Sequence, residues 1–519
     1  MKVTPEALAH CASEAIHQPE TIQGYGAMLV CNVESGSILR HSEGIDAWVH
    51  TPPNGLLGAS VMHALGLDRQ EWDDWSLQAQ GSRPVMVARI ECTKLDVPVE
   101  VMIHSLPQAE PPCVVLELIP DSSPNSTARD EVTLLARLAS SISKMRGSES
   151  LETFVQSSVT FIQSFLGYDR VMLYRFAPDW SGEVVAEATG PGLGARFVGQ
   201  RFPASDIPPQ ARELYRKNLL RVIADVEAKP VALVPSPTGG ATPLDQSLCL
   251  LRHPSHMHLA YLVNMGVRAT LTISLLHEGQ LWGMLACHHS SPRVPPHHHR
   301  HSVLIACELI ADSLISKLDS LIRLESLEQV RRLDKAVAEL DLSLRHAPSM
   351  NEAWAAFDIK VRSVANADAV FGRVHGQDWG DTVLPPTVLI QLQEKLSGIP
   401  AGKPVVTTSI AEWGWKPLEH ARHLAGLLAV SPTGKPDNYV VLMRAEHHHA
   451  LLWAGKPDTF SLVPAPDGSV VLGARRSFDV WLEEVRDRST EWCSEQVTVG
   501  VQMAQMMSQI HARLLLIET

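Results

Sequence analysis

A cysteine near the start of the chain is the first residue whose type allows covalent chemistry. Cys11 lies in the stretch CASEAIHQPETIQGYG, which shows no clear helical or strand period. It has no nearby partner for a disulfide and no Cys-x-x-Cys spacing for a metal ion. Residue type and position alone leave two interpretations open, an inert buried thiol or a thiol with a chemical role.

A second group of polar side chains lies in PASDIPPQARELYRKNLLR. Ser205 or Asp206 is predicted to cap a helix that the Pro208–Pro209 pair begins. Arg212 and Tyr215 then share one face of that helix at spacing i, i+3. Without further context, this stretch is also what a capped surface helix with solvated charges looks like.

A third group lies in LRHPSHMHLAYLVNMG. Ser255 is predicted to cap a helix that ends at Gly266 in left-handed geometry. Within the helix, His258 and Tyr261 are neighbours at spacing i, i+3. The pair is compatible with a ligand site, and equally with a structural histidine whose hydrogen bonds are satisfied.

The strand RATLTISLL carries a row of hydroxyl groups. Strict alternation puts Thr270, Thr272 and Ser274 on one face and leucine or isoleucine on the other. The hydroxyl row faces either water or an anionic group of a ligand. Two arginines lie next to the predicted helices. Arg221 follows the first helix, and Arg252 precedes the second.

Histidine runs occur in PPHHHRH, from Pro295, and in EHHHA, from Glu446. Adjacent histidines point in different directions on any regular backbone, and no carboxylate or cysteine stands at ligand spacing. We therefore predict no native metal site. The sequence also has no phosphate loop, no nucleophile elbow, no GxGxxG after a strand and no Gly-rich ATP lid of a histidine kinase. We do not expect this chain to be an enzyme.

The composition indicates a globular protein of two to four domains, with 519 residues, 45% hydrophobic and 19% charged. The net charge of -13 argues against nucleic acid as the main partner and against an anionic membrane surface. The first residues lack a signal-peptide core, and no run approaches the ~18 apolar residues that span a bilayer. Eight scattered cysteines suggest reduced thiols in the cytoplasm.

Short apolar runs between turn residues predict the elements that carry these groups. Residues 21–118 are expected to form a small antiparallel sheet with a few short helices. A polar linker follows from Pro120, and then a helix over about Glu131–Lys144. A second α+β unit is expected over 151–311, with strands RVMLYRF, GEVVAEA, RATLTISLL and QLWGMLACHH.

The stretch Ser302–Arg345 contains no glycine or proline and has apolar residues near helical spacing. A straight helix of this length would measure about 66 Å, which suits a spine between domains or a dimer seam. A third α+β unit is expected over Met350–Asp479. From Val480 the chain is predicted to be helical, with Gly500 as the only breaker, and to pass this helix to a following domain.

Three stretches together, PASDIP, LRHPSHMHLAYLVNMGVRA and LWGMLACHH, closely resemble the chromophore-binding GAF domain of bacterial phytochromes. The WAG at Trp453 and the RRSF at Arg475 resemble the tongue of their PHY domain. The N-terminal pattern Cys-x-x-Glu-x-Ile-His-x-Pro-x-x-Ile-Gln resembles their biliverdin attachment segment and is formed by Cys11, Glu14, Ile16, His17, Pro19, Ile22 and Gln23.

The resemblance implies an α+β fold of three domains with antiparallel sheets, an N-terminal figure-of-eight knot and long connecting helices. The implied divisions are an attachment segment (1–20), a PAS domain (21–120), a GAF domain (128–316) and a PHY domain (317–519). The PHY domain would contain a tongue, at about 440–490, and a C-terminal signalling helix.

The resemblance also implies the cofactor. In the family, the N-terminal cysteine forms a thioether with ring A of a linear tetrapyrrole, so Cys11 looks like the attachment residue. Plant-type phytochromes place their cysteine in the GAF domain, just before the histidine, where this chain has Met257. That difference favours covalent biliverdin IXα over phycocyanobilin.

By family position, the pocket residues have distinct roles. Arg221, Arg252 and Tyr215 look like partners of the ring B propionate, and Thr270 and Thr272 of the ring C propionate. The Asp206 carbonyl and His258 would hold a pyrrole water, and His288 would donate to the ring D carbonyl. Tyr174, Phe202 and Tyr261 would surround ring D. The remaining implied pocket residues are Ile207, Pro208 and Ser255.

The implied function is red/far-red light sensing, by isomerisation of the bridge between rings C and D. Asp206 would pair with Arg475 in the red-absorbing state. Ser477 would replace Arg475 after the ring D flip, while the tongue, including Trp453, refolds from hairpin to helix. A homodimer and a downstream output domain or response regulator are the implied partners, with neither nucleic acid nor membrane involved.

Three features of the sequence depart from the family pattern. Gly24-Tyr25 replaces the usual Pro-His, Ala474 replaces the tongue proline, and threonines replace the commoner serines at 270 and 272. Two alternatives remain at this point. One is a light-independent PAS–GAF sensor of a small molecule that regulates an output domain. The other is a metalloenzyme that uses the histidine runs.

Overall fold

The computed structural model describes residues 14–518, apart from 82, 93–94, 96, 122–127, 148–149, 191–192, 236–241, 295–299, 375, 381–383, 417, 420–422, 436, 458, 460 and 465–469. Cys11, most of the linker after Pro120 and the histidines at 297–299 lie outside the described residues. The chain divides into two compact units, Met1–Asp319 with Leu452–Trp481, and Ser320–Leu451 with Leu482–Thr519. Among the described helices, none is long and apolar enough to cross a membrane.

The strands are numbered in chain order. They are β1 Thr21–Gln23, β2 Ala27–Asn32, β3 Ile38–Ser42, β4 Val85–Cys92, β5 Val97–Leu106, β6 Cys113–Pro120, β7 Arg170–Phe176, β8 Gly182–Thr189, β9 Arg201–Phe202, β10 Leu220–Ile223, β11 Pro230–Val234, β12 Ala269–His277, β13 Gln280–His289, β14 Ala369–Val374, β15 Gln377–Gly380, β16 Pro404–Thr407, β17 Leu418–Glu419, β18 His423–Val430, β19 Tyr439–Ala445, β20 His449–Ala454, β21 Ser461–Pro464, β22 Val470–Gly473 and β23 Val480–Val485.

The α-helices are numbered in the same way. They are α1 Val61–Leu65, α2 Arg69–Gln78, α3 Ala128–Arg146, α4 Leu151–Leu166, α5 Pro209–Lys217, α6 His256–Asn264, α7 Arg300–His346, α8 Met350–Ala365, α9 Pro386–Ser397 and α10 Ser494–Glu518.

The first sheet has seven strands in the order β1-β11-β3-β2-β6-β5-β4. Its middle strands are the apolar runs that alternation predicted, and they pair antiparallel. Trp72 of α2 is fully buried against the sheet, and its indole N–H donates to the carbonyl of Val33 at 3.1 Å. Burial of aromatic and branched side chains on one face holds this layer together.

Strand β1 is bonded along both edges to segments more than 200 residues away. On one edge Thr21 pairs with Ala232 and Gln23 pairs with Pro230. On the other edge the backbone N–H of Gln23 donates to the Leu251 carbonyl at 2.8 Å, and the backbone N–H of His253 donates to the Thr21 carbonyl at 3.2 Å. The N-terminal segment thus lies between two parts of the central domain, which is the arrangement that a figure-of-eight knot requires.

The second sheet has the order β10-β12-β13-β7-β8-β9-β20-β23. It continues through the parts of β20 and β23 that return to the first unit, where Trp453 pairs in parallel with Arg201. Helix α4 packs on β7 and β8 of this sheet, while α5 contacts β12 and β13. The expected fold class, α+β with antiparallel sheets, is confirmed.

Cross-strand register places several predicted pocket residues on the same face of this sheet. Arg221 stands opposite Thr272, and Thr270 stands opposite His288. Directly opposed residues share a face, so the register brings a guanidinium, two hydroxyls and an imidazole together. Both faces of β12 are buried, so the interpretation of a hydroxyl row in water is wrong.

Helix α6 begins with the predicted side-chain cap, whereas helix α5 does not. Ser255 caps α6 by accepting from the His258 N–H at 3.3 Å, as predicted, and Gly266 follows with φ of 73°. Helix α5 begins at Pro209, with Pro208 as the preceding residue and no side-chain cap. The predicted cap by Ser205 or Asp206 is wrong, because both lie in the preceding 3-10 turn, too far from the first helical N–H groups.

The second unit contains a sheet in the order β15-β14-β19-β18-β16, with β17 beside β18. Helices α8 and α10, with the end of α7, cover one face, and α9 covers the other. Helix α7 confirms the long predicted helix, and the division between the two units falls within it. The chain from Val480 is not helical as predicted. Residues Val480–Val485 form β23, and the final helix begins at Ser494, because strand pairing outweighs local preference.

One buried arginine links three elements of the second unit. Arg444 is 3% exposed, and it donates to the carbonyls of Glu491 and Ala365, both at 2.6 Å, and to the Gln496 side chain at 2.8 Å. Its guanidinium also stacks over Trp492 at 3.8 Å. These contacts fasten β19 to the ends of α8 and α10.

We predict that Arg444→Met lowers the free energy of unfolding by about 2–4 kcal/mol, because several buried carbonyls lose a charged donor. Urea unfolding followed by fluorescence measures the change. Arg486→Met is the control, since Arg486 is exposed and pairs with exposed Glu484. Equal unfolding midpoints for both variants would contradict the structural role of Arg444.

Candidate functional site

A cavity of about 560 Å³ lies in the first unit between α5, α6 and the N-terminal segment. Its volume falls in the range of small-molecule sites, ~300–1,000 Å³. The predicted site residues that line it are Asp206, Ile207, Pro208, Tyr215, Arg221, Arg252, Ser255, His258, Tyr261 and Arg475. Residues that the motif and helix patterns place nearby also line it, namely Glu14, Ile16, Arg212, Met257 and Ala474.

Two arginines give the cavity wall a strong positive charge. Arg221 and Arg252 are 8% and 7% exposed. Within the described part of the chain, the Nη1 group of Arg221 and the Nε group of Arg252 have no hydrogen-bond acceptor. Burial, and then the charge of Arg221, lower the pKa of Arg252 to about 9. Two buried cations with unused donors call for an anionic ligand.

Arg252 also holds the N-terminal segment. Its Nη1 group donates to the Ile16 carbonyl at 2.8 Å, and Arg221 donates to the Arg252 carbonyl. Glu14 and Ile16 line the cavity. The segment that follows Cys11 is therefore tied to the residues expected to bind a propionate.

The hydroxyl and imidazole groups expected at the ligand lie on the sheet beneath the cavity. Thr270, Thr272 and His288 are buried and stand outside the set of residues that line it. The Tyr215 hydroxyl is hydrogen-bonded to the Thr272 side chain. The partners expected for two different propionates thus bond to each other in this structure.

The two histidines expected at the ligand, His258 in the cavity lining and His288 on β13, are electrically neutral at physiological pH. Burial, with the charges of Arg221 and Arg252, lowers the pKa of His258 to about 4. Burial, with Arg170 and His258, lowers the pKa of His288 to about 3. A neutral imidazole has one N–H donor and one acceptor, so each ring can donate to a carbonyl or hold a water without adding charge.

The aromatic residues expected around ring D fall into two groups. The ring centroids of Tyr174 and Phe202 lie 5.9 Å apart, in a cluster with Ile207 and Tyr215, which line the cavity. Tyr261 lines the cavity itself. Gly182 makes room for the Tyr174 ring, because a Cβ there would lie 1.8 Å from a ring carbon. The structure therefore brings Tyr174 and Phe202 near the site without placing them on its surface.

A buried ion pair closes one side of the cavity. Arg475 is 5% exposed, and its Nη2 group contacts the Asp206 Oδ2 atom at 2.6 Å. The same oxygen accepts from the Tyr261 hydroxyl at 2.9 Å. The Arg475 guanidinium carbon also lies 4.9 Å from the centroid of the Phe478 ring. The expected partners Asp206 and Arg475 are thus together, with the tongue strands in extended conformation.

Ser477 and Trp453 lie elsewhere on the tongue. The Ser477 hydroxyl donates to Asp479 at 2.9 Å, and the side chain is exposed. Trp453 is buried in β20. Asn264 was missed in the sequence, although its side chain donates to the Arg475 carbonyl at 2.9 Å. Its spacing of i, i+3 from Tyr261 on α6 was the available signal.

Comparison with known proteins identifies the fold and the family of the chain. Sequence models match residues 11–120 as a PAS fold, 150–315 as a GAF domain and 338–514 as a phytochrome region. A bacteriophytochrome from Xanthomonas campestris is 30% identical over 509 residues, covering 94% of this chain and 76% of that protein. The chain belongs to the bacteriophytochrome family.

Further relatives agree with this assignment to the bacteriophytochromes. The Pseudomonas aeruginosa bacteriophytochrome is 31% identical and covers 96% of this chain, which spans 66% of that protein's length. The crystal structure of an R. palustris bacteriophytochrome is 26% identical, with a TM-score of 0.80 over 97% of this chain and 99% of that one.

Membership of the bacteriophytochrome family confirms the predicted PAS–GAF–PHY photosensory core. The relatives support red/far-red photoreception and do not favour the light-independent sensor. They also imply a bilin chromophore. The residues present fit such a group, because the buried arginines offer unused donors for its carboxylates.

We predict that the Asp206 carboxyl titrates near pH 6. Burial raises its pKa from 3.8 to about 6, while Arg475 and Tyr261 oppose that rise. By linkage, the contribution of Asp206 to stability is full at low pH and is lost as the pH rises through about 6. Arg475→Ala should move the midpoint to higher pH, because the guanidinium favours the carboxylate.

Infrared titration of the protonated carboxyl band measures this midpoint, with Asp206→Asn to assign the band. A midpoint near 4 in the wild type would contradict the rise in the pKa of Asp206 to about 6. A lower midpoint in Arg475→Ala would show that the guanidinium does not favour the Asp206 carboxylate.

Proposed function

We propose that this chain is the photosensory core of a red/far-red photoreceptor that carries biliverdin IXα attached to Cys11. The observation that supports it most is the buried pair Arg221 and Arg252, which line the cavity and each keep one nitrogen without an acceptor among the described residues. The connection from Arg252 to Ile16 supports attachment at the N-terminal cysteine. Met257 at the plant-type position has no thiol for an alternative bond.

The propionates are the groups that the cations and hydroxyls would bind. Arg221, Arg252 and Tyr215 would receive the ring B carboxylate. Thr270 and Thr272 share the face of β12 that would receive the ring C carboxylate. For this, the bond between Tyr215 and Thr272 must open so that each hydroxyl turns to its own carboxylate. Charged hydrogen bonds of this kind repay the burial of the arginines.

A bilin supplies light absorption and an isomerisable double bond between its last two rings. The neutral His288 ring would donate to the ring D carbonyl in one state and release it in the other. His258 and the Asp206 carbonyl would hold a water at the pyrrole nitrogens. Ser255 fixes the start of α6 and so the position of His258.

The signal would leave the pocket through Asp206. Its ion pair with Arg475 and the Asn264 bond to the Arg475 carbonyl hold the tongue in its extended form. Loss of these contacts would release the tongue to refold, with Ser477 replacing Arg475 at Asp206. A bistable segment biased by a local polar change is a common switching device.

Association and output are the remaining parts of the proposal. Exposed Leu324, Leu327 and Leu342 on α7 support a homodimer, and α10 would pass the signal to an output domain or response regulator. The core itself would be a sensor without enzymatic activity. The seven described cysteines are unpaired, which suits a reducing cytoplasm.

We predict that co-expression with haem oxygenase yields a blue-green protein whose band fluoresces with zinc in a denaturing gel. Cys11→Ser should lose the gel fluorescence and retain reversible pigment, because the arginines still bind the carboxylates. Cys493→Ser, at a partly exposed thiol of the second unit, is the matched control and should keep the covalent pigment. A colourless wild-type protein would refute the proposed function.

We predict that Arg475→Ala leaves dark absorption nearly intact and destabilises the switched state or alters its spectrum. The reason is that Arg475 contacts Asp206 and the tongue, whereas the chromophore carboxylates are expected at other arginines. Arg476→Ala is the control, because Arg476 is the exposed neighbour in the same segment. Spectra after red and far-red light, followed through thermal reversion, provide the measurement. Wild-type photoconversion in Arg475→Ala would contradict the role of the ion pair.

A further inference from the structure

A buried carboxylate joins the PAS sheet to the segment that carries Arg252. Glu117 lies on β6 and is 0% exposed. Its Oε2 atom accepts the backbone N–H of Leu250 at 3.0 Å, and its Oε1 atom accepts that of Leu251 at 2.6 Å. Both oxygens are therefore engaged by residues that directly precede the propionate-binding arginine.

The backbone at Arg252 is held from the opposite side as well. Ile22 of β1 forms a bridge with Arg252, and the Gln23 side chain donates to the Arg252 carbonyl at 3.3 Å. Arg221 donates to the same carbonyl. Glu117 secures the two N–H groups that come just before this point, so its removal would free one side of the segment.

Glu117 also supplies charge where cations are buried. Burial raises the pKa of Glu117 to about 7, and the N–H groups of Leu251 and Leu250 and the charge of Arg221 oppose that rise. Burial lowers the pKa of Arg221, and Glu117 in its ionised form acts in the opposite direction. Burial lowers the pKa of Arg252, and the charge of Asp245 acts in the opposite direction. Asp245, however, is partly exposed. Of these two carboxylates, Glu117 is the one inside the protein, where an ion pair is screened least.

A metal site is the competing interpretation of the same cluster. His104, Glu117 and Cys249 offer one nitrogen, one oxygen and one sulfur within 4.8 Å of one another. The His104 Nε2 atom lies 3.7 Å from the Cys249 sulfur. However, both Glu117 oxygens already accept N–H groups, and the charge of Arg221 acts at this place. The two N–H groups occupy part of the acceptor capacity of Glu117, and the positive charge of Arg221 repels a metal ion.

We infer that Glu117 is a positioning residue for carboxylate binding by Arg221 and Arg252. The PAS sheet thereby sets how the pocket receives the ligand's propionates, although none of its strands supplies a propionate ligand. This inference rests on the proposed function, because it names the domain that tunes the same site. The PAS domain would then have two separate roles: it stabilises the fold, and it controls the affinity of the pocket for anions.

The test compares Glu117→Gln with Glu100→Gln in a Cys11→Ser background, so that pigment binding is reversible. Glu100 is a buried acid on the neighbouring strand β5 and controls for loss of an acid in the same sheet. The probes are biliverdin and biliverdin with both propionates methylated. Hydrogen exchange of the Leu250 and Leu251 amides in the pigment-free protein provides an independent measurement.

Glu117→Gln is expected to speed exchange of these two amides about tenfold or more and to weaken biliverdin binding by about tenfold. Binding of the dimethyl ester should change little, since it presents no carboxylates. Glu100→Gln should leave exchange at these amides and the preference for free biliverdin unchanged. If Glu117→Gln does not fold, Glu117→Asp tests the same point, because its shorter side chain keeps the acid and cannot reach both N–H groups in the same way. It should speed exchange of the Leu250 and Leu251 amides and weaken biliverdin binding more than binding of the ester.

Equal weakening of biliverdin and its ester would reduce Glu117 to a structural residue and overturn the inference. Unchanged exchange would do the same. Stoichiometric zinc in the purified wild type, lost in Glu117→Gln, would replace positioning with a metal site. If the wild type binds neither pigment, the proposed function itself fails. If it binds and the variants do not differ, only the inference fails.

Discussion

The burial of two guanidinium groups beside a cavity is the constraint on which the site depends. Removing a charge from water costs several kcal/mol unless a counter-charge and hydrogen bonds compensate. Arg221 and Arg252 are compensated in part by backbone carbonyls and by Glu117. Both line the cavity, and each keeps one nitrogen without an acceptor among the described residues. Among the described residues, no anion accepts from these unused donors. A ligand with two carboxylates meets this requirement.

A second polar pair governs the other side of the cavity. Asp206 is buried with Arg475 and Tyr261, in a place where burial pushes its pKa upward and the guanidinium pulls it down. A pair balanced in this way is sensitive to small changes in its surroundings, because one displaced partner leaves a buried charge uncompensated. The same property makes such a pair a weak contributor to stability and an effective trigger for a segment with two conformations.

Much of the architecture could be predicted from local patterns. Alternation and turn residues marked β7, β8, β12 and β13, and the Ser255 cap marked α6, because these signals lie within a few residues of one another. The strand at Val480 could not be predicted, since its pattern suits either structure and its partner strand is distant in the sequence. Alternation also put Thr270 and Thr272 on one face but carried no information about what covers that face.

The site likewise contains residues that sequence motifs reveal and contacts that only tertiary packing creates. Arg221, Arg252, His258 and His288 were assigned through family motifs. The register of β10, β12 and β13 adds that Arg221 stands opposite Thr272 and that His288 stands opposite Thr270. The contact of Glu117 with Leu250 and Leu251 joins residues 133 and 134 positions apart, and an acid within an apolar strand was its only trace. Such long-range pairs follow from tertiary packing, so neither period nor spacing reveals them.

The double-edged bonding of β1 has a consequence for the order of events on the ribosome. Thr21–Gln23 emerges first, yet both of its bonding partners, near 231 and 252, are made more than 200 residues later. The segment Thr21–Gln23 therefore has no partner for either edge until the central domain has been synthesised. Strand β1 is thus among the last elements of the first sheet to be bonded in place, although it is among the earliest to be made.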